Sequence, residues 1–392
     1  MVMVRTQRTS TDASAQAAAY LRAEHRMSQA EIGQRLGGLS QSMVSRLLKH
    51  AEDQGWLEVS YTFVQADRLP PERLEYLRSL VDPKGLLDAL KTVRSATGVR
   101  VRELRVVDSG STSNSLRAME GRLTRVGRAA APRIGELLQR SDVFAVTWGT
   151  TVSHVVEGLA AAPPHGSLGR SIRFVPVCAE PLEQGSNDDT SSHLARRLHR
   201  VLQATTEPPP SLTGVPALIS RQFTGADARG IRKYVNAAAS YRDVFGTRAP
   251  LIEQVDSLLT SAGSSSRPMG FIHEELLRAG STSTSKLTAA RLSGLVAGDV
   301  GGVLLPKPTL DAAGRRDVDR LNAMWTGVKL KHLQRIAQQA DRRGRPGVIV
   351  VSLGDDRAEI IAEAVRCGLI NELIVDRPLA DALARALAPT AG

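Results

Sequence analysis

The stretch Met27–Trp56, MSQAEIGQRLGGLSQSMVSRLLKHAEDQGW, predicts two short helices joined by a tight turn. Ser28 is a favoured N-cap, and Glu31 three residues later completes a capping box, so we expect a helix to begin there. A Gly-Gly pair ends that helix, and Ser40 caps a second one. Gly33 has no side chain, which leaves room for the second helix to approach. This order of features is typical of a helix-turn-helix.

The second helix of this stretch has an apolar face and a polar face. Its apolar face is formed by Val44, Leu47, Leu48 and Ala51. The other face carries short hydrogen-bonding side chains and cations, which suit adenine edges, guanine edges and phosphates. The residues that we expect to contact DNA are Ser28, Gln29, Ser40, Gln41, Ser42, Ser45, Arg46 and Lys49. The alternative is an ordinary helical hairpin with a solvated polar face.

Three further segments complete the predicted N-terminal part. Ser14–His25 reads as a support helix with Ala17, Ala18 and Leu21 inward, and Trp56–Tyr61 alternates like a strand or wing. Two helices follow, the second marked by Leu86, Leu87, Leu90 and Val93 and ended by Gly98, and their apolar edges suit dimerisation. We therefore expect a DNA-binding domain over 1–65, a helical linker over 66–98 and an effector domain over 99–392.

Short apolar strands alternate with helices from about residue 99 onward, which predicts a Rossmann-like parallel α/β sheet. The predicted strands are Leu104–Val107, Asp142–Thr147, Ile172–Val177, Ala217–Ser220, Ser257–Ser261, Gly347–Ser352 and Glu372–Asp376. Ser261–Pro268 reads as a polar loop.

Composition favours a polyanionic partner, because the formal net charge is +11 and the pI is about 10.1. The two cysteines, Cys178 and Cys367, are far apart and suggest neither a disulfide nor a metal site. The first residues lack the apolar core of a secretion signal, and no apolar run approaches the roughly 18 residues of a membrane span. We therefore expect a cytoplasmic protein without metal, cofactor or membrane contact.

Ligands of open α/β sheets collect at the carboxyl ends of the strands, and three predicted loops occupy such places. Each combines glycine with hydroxyl or charged side chains at a helix start, which suits an anion or sugar hydroxyls. The candidate residues are Ser109, Gly110, Ser111 and Thr112 in the first loop, Gly149, Thr150 and Thr151 in the second, and Gly354, Asp355 and Arg357 in the third. The alternative for each loop is a capped helix start without a ligand.

Signals for catalysis are absent or incomplete. The sequence contains neither a GxSxG elbow nor a GxxxxGK[ST] phosphate loop. His273-Glu274-Glu275 lacks the second histidine of a zinc-protease helix, and His154 is notable only for lying beside the second loop. We therefore expect no catalytic residues.

The chain resembles SorC-type sugar-binding transcriptional regulators, the SorC/DeoR group, from about Ala17 to Leu383. In the head the resemblance is carried by SQAEIGQRL and SQSMVSRLLKHAEDQGWLEV. In the body it is carried by GRAAAPRIGELL, SDVFAVTWGTTV, VAGDVGG and GVIVVSLGDDRAEIIAEAVRCGLINELIVD. The middle, about 221–294, follows the family poorly.

The resemblance implies an effector domain similar in fold to sugar-phosphate isomerases and glucosamine-phosphate deaminases, without their catalysis. Family effectors are usually phosphorylated sugars, and the ligand-contacting positions fall on Gly149, Thr150, Thr151, Asp299 and Arg357. The family pattern Gly-Gly-x-x-Lys is here Leu353-Gly354-Asp355-Asp356-Arg357. Arginine keeps the charge of lysine but changes its geometry.

Sequence and resemblance together predict an operator-binding regulator that is a homodimer or homotetramer and responds to a sugar or sugar phosphate. Two alternatives stay open. One is a sugar-phosphate isomerase or deaminase with a DNA-binding head, which would need an acid and a base at the sheet edge. The other is a DNA-binding regulator whose effector pocket is degenerate.

Overall fold

The computed structural model describes residues 11–57, 85–93, 95–110, 116–162, 171–180, 189–219, 225–265, 271–280 and 287–388. These residues fall into two compact units. We call the unit that holds residues 11–57 together with Asp108–Arg125 the head unit. The sheet unit comprises residues 85–107 and the chain from Val126 onward.

The head unit contains the helices that the sequence predicts. They are α1 (Thr11–His25), α2 (Gln29–Arg35) and α3 (Gln41–Asp53). The four apolar residues predicted to face inward on α3 are all buried. They pack with Ile32 and with Ala15, Ala18 and Ala19 of α1, whereas Ala17 is only half-buried. The predicted wing beyond Leu57 and the first linker helix lie outside the described residues.

The sheet unit is built on six strands in which every hydrogen-bonded pair is parallel. The strands are β1 (Glu103–Val107), β2 (Val143–Val146), β3 (Arg173–Pro176), β4 (Ser257–Thr260), β8 (Gly347–Ser352) and β9 (Glu372–Asp376). Their order across the sheet is β1-β9-β8-β4-β2-β3. The central strands β4, β8 and β9 are buried along their whole length, as expected for a parallel sheet covered on both faces.

Helices connect and cover these strands. They are α4 (Leu86–Thr92), α5 (Leu116–Leu138), α6 (Thr150–Ala161), α7 (Ser191–Val201), α8 (Gly225–Ala237), α9 (Ala239–Phe245), α10 (Leu251–Gln254), α11 (Phe271–Gly280), α12 (Ala289–Leu295), α13 (Ala312–Asn322), α14 (Leu330–Arg343), α15 (Ala358–Arg366) and α16 (Arg377–Leu387). None of the helices in the described ranges is long and apolar enough to cross a membrane.

A second, antiparallel sheet is the main feature that the sequence analysis did not predict. It pairs β5 (Ala262–Ser264), β6 (Val296–Val300) and β7 (Val303–Pro306) in the order β5-β6-β7. The prediction of a loop over the whole of Ser261–Pro268 was therefore wrong, because β5 lies within it. Gly301 and Gly302, with φ of 59° and 86°, join β6 to β7, and a Gly-Gly pair between apolar runs is a hairpin signal that could have revealed it.

Two smaller expectations also need correction. The predicted strand Ala217–Ser220 is not a strand in its described part, because Leu218 makes only an isolated bridge to Trp325. The helix predicted to run to Gly98 ends at Thr92. Its Leu86 and Leu90 are buried in the core of the sheet unit, so these two side chains do not form an exposed dimerisation edge.

Candidate functional site

Two serine hydroxyls set where the helices of the candidate DNA interface begin. The backbone N–H of Ser28 donates to Glu31 Oε2 at 2.7 Å, and the N–H of Glu31 donates to Ser28 Oγ at 3.3 Å, which completes the predicted capping box. The Ser28 hydroxyl also donates to Glu31 Oε2 at 2.7 Å, and this hydrogen bond, together with the one from the Ser28 N–H, lowers the pKa of the Glu31 carboxyl group. On the second helix, the N–H of Met43 donates to Ser40 Oγ at 3.3 Å. Both helix starts are thus confirmed as predicted from local sequence.

The turn between α2 and α3 contains two consecutive glycines with left-handed backbone. Gly37 and Gly38 have φ of 90° and 81°, a region in which glycine avoids the clash of a Cβ atom. The N–H groups of Gly38 and Leu39 both donate to the carbonyl oxygen of Gly33 at 2.9 Å. A Cβ on Gly33 would first meet the backbone of Leu39 in this turn, and then the side chain of Val44 in α3.

The polar side chains predicted for DNA contact lie on the surface of the head unit. Gln29 is half-buried, and the exposed ones are Ser28, Ser40, Gln41, Ser42, Ser45, Arg46 and Lys49. Lys49 lies 3.8 Å from Glu52 and 3.5 Å from Asp53, so part of its charge is balanced within α3. Arg46 lies two positions from both Val44 and Leu48, so helical spacing places it opposite the buried residues of α3, and Gln41 is exposed in the first turn.

The strand order places a topological switch point between β2 and β4. The chain passes from β2 to β3 on one side, and then places β4 on the other side of β2. At the carboxyl ends of these two strands, Thr147 Oγ1 donates to Thr260 Oγ1 at 3.0 Å. Crevices of this kind are where open α/β sheets bind ligands. The second predicted loop, Trp148–Thr151, follows β2 directly.

The start of α6 presents backbone N–H groups at this switch point. Gly149 has φ of 113° and makes no side-chain cap hydrogen bond, so no cap from this residue competes with a ligand oxygen for the N–H groups of the first turn. A Cβ on Gly149 would lie 3.6 Å from Ser261 Oγ, which places the end of β4 beside this helix start. Thr150 is exposed and Thr151 is half-buried. His154 is buried, and its Nδ1 donates to the carbonyl oxygen of Thr150 at 2.8 Å.

Asp299 lies on β6 and is only 6% exposed. Its Oδ2 accepts the N–H of Gly302 at 2.8 Å, and its Oδ1 lies 3.7 Å from Nδ1 of His273. Burial raises the pKa of the Asp299 carboxyl group. The carboxylate packs on Gly263 so closely that a Cβ there would lie 2.1 Å from Oδ1. Asp299 therefore stabilises the β6–β7 turn, and the fully buried His273 is a neighbour that sequence reasoning set aside.

Arg357 connects the third predicted loop to β5. Its Nε donates to the carbonyl oxygen of Ala262 at 3.1 Å, and its Nη1 donates to the carbonyl oxygen of Leu353 at 2.7 Å. Nη1 also donates to Asp356 Oδ1 at 2.9 Å, so the guanidinium charge is paired inside the loop. This side chain is consequently less available to an anionic ligand than its position in the sequence indicates.

The remaining loop positions are placed only in part. Gly354 has φ of 95°, and its N–H donates to Asp376 Oδ1 at 2.9 Å, while Asp355 is exposed. In the first loop, the carbonyl oxygen of the buried Ser109 accepts Nε–H of Arg125 at 2.7 Å. Gly110 is exposed there, and Ser111 and Thr112 lie outside the described residues.

A large cleft lies at the amino end of the edge strand β3. Its volume is about 1020 Å³, and Arg173, the first residue of β3, lines it together with Arg242 and Tyr241. None of the predicted effector residues that the structure describes is among its lining residues. The sequence and the strand topology therefore favour an effector site at the carboxyl ends of the strands, and this cleft is separate from it.

Residues 97–385 match the model of the Sugar-bind family, a sugar-binding domain. This match covers well over half of the sequence, and the chain belongs to that family. The comparison with curated proteins gave no significant match.

Several solved structures of bacterial regulators are similar to this chain. Full-length SorC, the sorbitol operon regulator of Klebsiella pneumoniae, aligns over 96% of this chain and 99% of its own, with 18% identity and a TM-score of 0.52. The sugar-binding domain of a transcriptional repressor from Vibrio fischeri aligns over 79% and 99%, with 16% identity and a TM-score of 0.53. A DeoR family regulator from Listeria monocytogenes aligns over 76% and 100%, with 16% identity and a TM-score of 0.50. The resemblance stated from the sequence is thus confirmed for family and fold.

Proposed function

We propose that this protein is a sequence-specific DNA-binding transcriptional regulator whose affinity for its operator depends on a sugar or sugar-phosphate effector. The observation that carries the proposal is that one chain combines a Sugar-bind family domain with two N-capped helices, α2 and α3. The second of these helices exposes Gln41 and Arg46. The helices support DNA binding, and the family supports a sugar as the effector.

DNA binding is tested by selecting duplex sequences with the full-length protein and measuring affinity by gel shift. Arg46→Ala should weaken binding to the selected sequence by about fivefold to a hundredfold, since a good arginine–guanine pair contributes about 1–3 kcal/mol and 1.4 kcal/mol corresponds to tenfold. Arg316→Ala is the matched control, because Arg316 is equally exposed but belongs to α13 of the sheet unit. Equal loss in both variants would mean that only overall charge matters. A dimer or tetramer predicts two half-sites spaced by helical turns.

Effector binding is tested by thermal unfolding against free and phosphorylated sugars and polyols. A ligand at ~100 times its Kd stabilises the folded state by about 2.7 kcal/mol, which moves the melting transition visibly. Thr150→Ala should reduce the shift, because Thr150 opens α6 at the switch point, whereas Thr205→Ala at another exposed threonine should not. Arg357→Lys keeps the charge and removes the paired geometry, so it separates these two contributions. A gel shift with the ligand then gives the sign of regulation.

A second candidate is favoured by the interactions of Arg357. The guanidinium of Arg357 already donates hydrogen bonds to Asp356 and to two carbonyl oxygens. The third loop is therefore also consistent with a regulator that has no small-molecule effector. No melting shift across the panel, combined with intact sequence-specific DNA binding, would select this candidate. Turnover of a sugar phosphate by the purified protein would instead support the isomerase or deaminase alternative.

A further inference from the structure

Met43 is an exposed apolar side chain of α3, at the border of the helix's buried face and four residues before the buried Leu47. It lies in the first turn of α3, directly after Ser42, and 45% of it is exposed. Its neighbour Val44 is completely buried. Met43 does not belong to the apolar cluster that the described residues of the head unit form, although Met27 does.

The first turn of a recognition helix is the part that meets base edges in the major groove. In that groove the 5-methyl group of thymine is the apolar feature, and apolar side chains read it by direct contact. Methionine suits such a contact, since its unbranched and polarisable side chain adapts to irregular apolar surfaces. The exposure of Met43 in the first turn of α3 therefore has a physical reason if a thymine lies opposite it.

We propose that Met43 is a specificity-determining residue that contacts the methyl group of a thymine in each half-site. The inference rests on the proposed function, because it takes α3 as the helix that enters the groove. It adds an apolar contact to the polar ones assigned to this helix. It also implies that discrimination at one base pair per half-site depends on a methyl group and not on a hydrogen bond.

The test replaces thymine by deoxyuridine, which removes the methyl group and leaves the hydrogen-bonding edge unchanged. Each thymine of the selected operator is replaced in turn, and the affinity of the full-length protein is measured. For the wild type we expect one position per half-site at which affinity falls about fourfold, since one buried methyl group contributes ~0.8 kcal/mol and 1.4 kcal/mol corresponds to tenfold. Met43→Ala should bind the thymine and deoxyuridine operators equally.

Two further variants make the result interpretable. Met43→Leu keeps an apolar side chain and should retain the dependence on the methyl group. Tyr20→Ala removes another exposed apolar side chain of the head unit, one that is 58% exposed on α1, and should retain the full dependence. Thermal unfolding of each variant checks that the head is folded.

The outcomes separate this inference from the proposed function. If a specific operator is selected but no thymine methyl group matters, or if Met43→Ala keeps the wild-type sensitivity, the role of Met43 is refuted while DNA binding stands. If the protein selects no DNA sequence at all, the proposed function fails and the inference fails with it.

Discussion

The turn between the two helices of the head depends on Gly33 having no side chain. A Cβ at residue 33 would lie 2.3 Å from the carbonyl oxygen of Leu39 and 3.5 Å from Val44 Cγ2. Cβ atoms essentially never approach other heavy atoms within 3.0 Å, so the turn would have to move by about 0.7 Å. The obstacle is backbone, which cannot rotate away as a side chain can. The same turn is held by two hydrogen bonds to the carbonyl oxygen of Gly33.

Gly33→Ala should therefore destabilise the head unit. Overpacking of this kind costs about 1–3 kcal/mol, and the gain in helix propensity of up to about 1 kcal/mol offsets only part of it. We expect operator affinity in gel shifts to fall by about tenfold, because the angle between α2 and α3 must change. The melting shift produced by an effector should persist, since the substitution lies outside the sheet unit.

Gly230→Ala is the matched control for this substitution. Gly230 lies within α8, and a Cβ there meets no atom of the described residues within 4 Å, so alanine should stabilise the protein slightly through helix propensity. A Gly33→Ala variant with wild-type operator affinity and an unchanged melting temperature would refute the packing argument, and with it the turn geometry on which the DNA interface depends.

Three other predictions concern the pH dependence, the effector edge and the helix cap. Burial lowers the pKa of His332 from 6.5 to about 4, and its neutral Nδ1 accepts the N–H of Lys329 at 3.2 Å. Between pH 6.5 and about pH 4 the unfolded chain therefore binds more protons than the folded protein does. The free energy of unfolding should fall by about 3 kcal/mol as the pH drops through this interval. His332→Gln should flatten this slope in melting curves recorded against pH, and an unchanged slope would exclude His332 as its source. Gly263→Ala should displace Asp299 and abolish the effector-induced melting shift while operator affinity without effector is kept, so a full response in this variant would contradict the role given to Asp299. Ser28→Ala should cost the head about 1 kcal/mol through loss of the N-cap, measured by thermal unfolding, and no loss of stability would show that the capping box is dispensable.

The parts of the fold that depend on neighbours in the sequence were predicted well. The caps of α2 and α3 involve residues three apart, and the apolar residues of α3 recur at helical spacing. Strands such as Gly347–Ser352 were recognisable because a central parallel strand is apolar along its whole length. The small antiparallel sheet was missed, because β5 is only three residues long and pairs with β6 more than thirty residues later.

The sequence by itself determined the capped helices of the head, the strands of the parallel sheet and the residue types of the loops after those strands. Only the tertiary structure decided which of these residues meet. Gly149 lies beside Ser261 because β2 and β4 are neighbours, and Asp299 packs on Gly263 because β5 pairs with β6. The pairing of Arg357 with Ala262 likewise joins residues about ninety positions apart. Such contacts arise from strand order and register, which local propensity and periodicity do not contain.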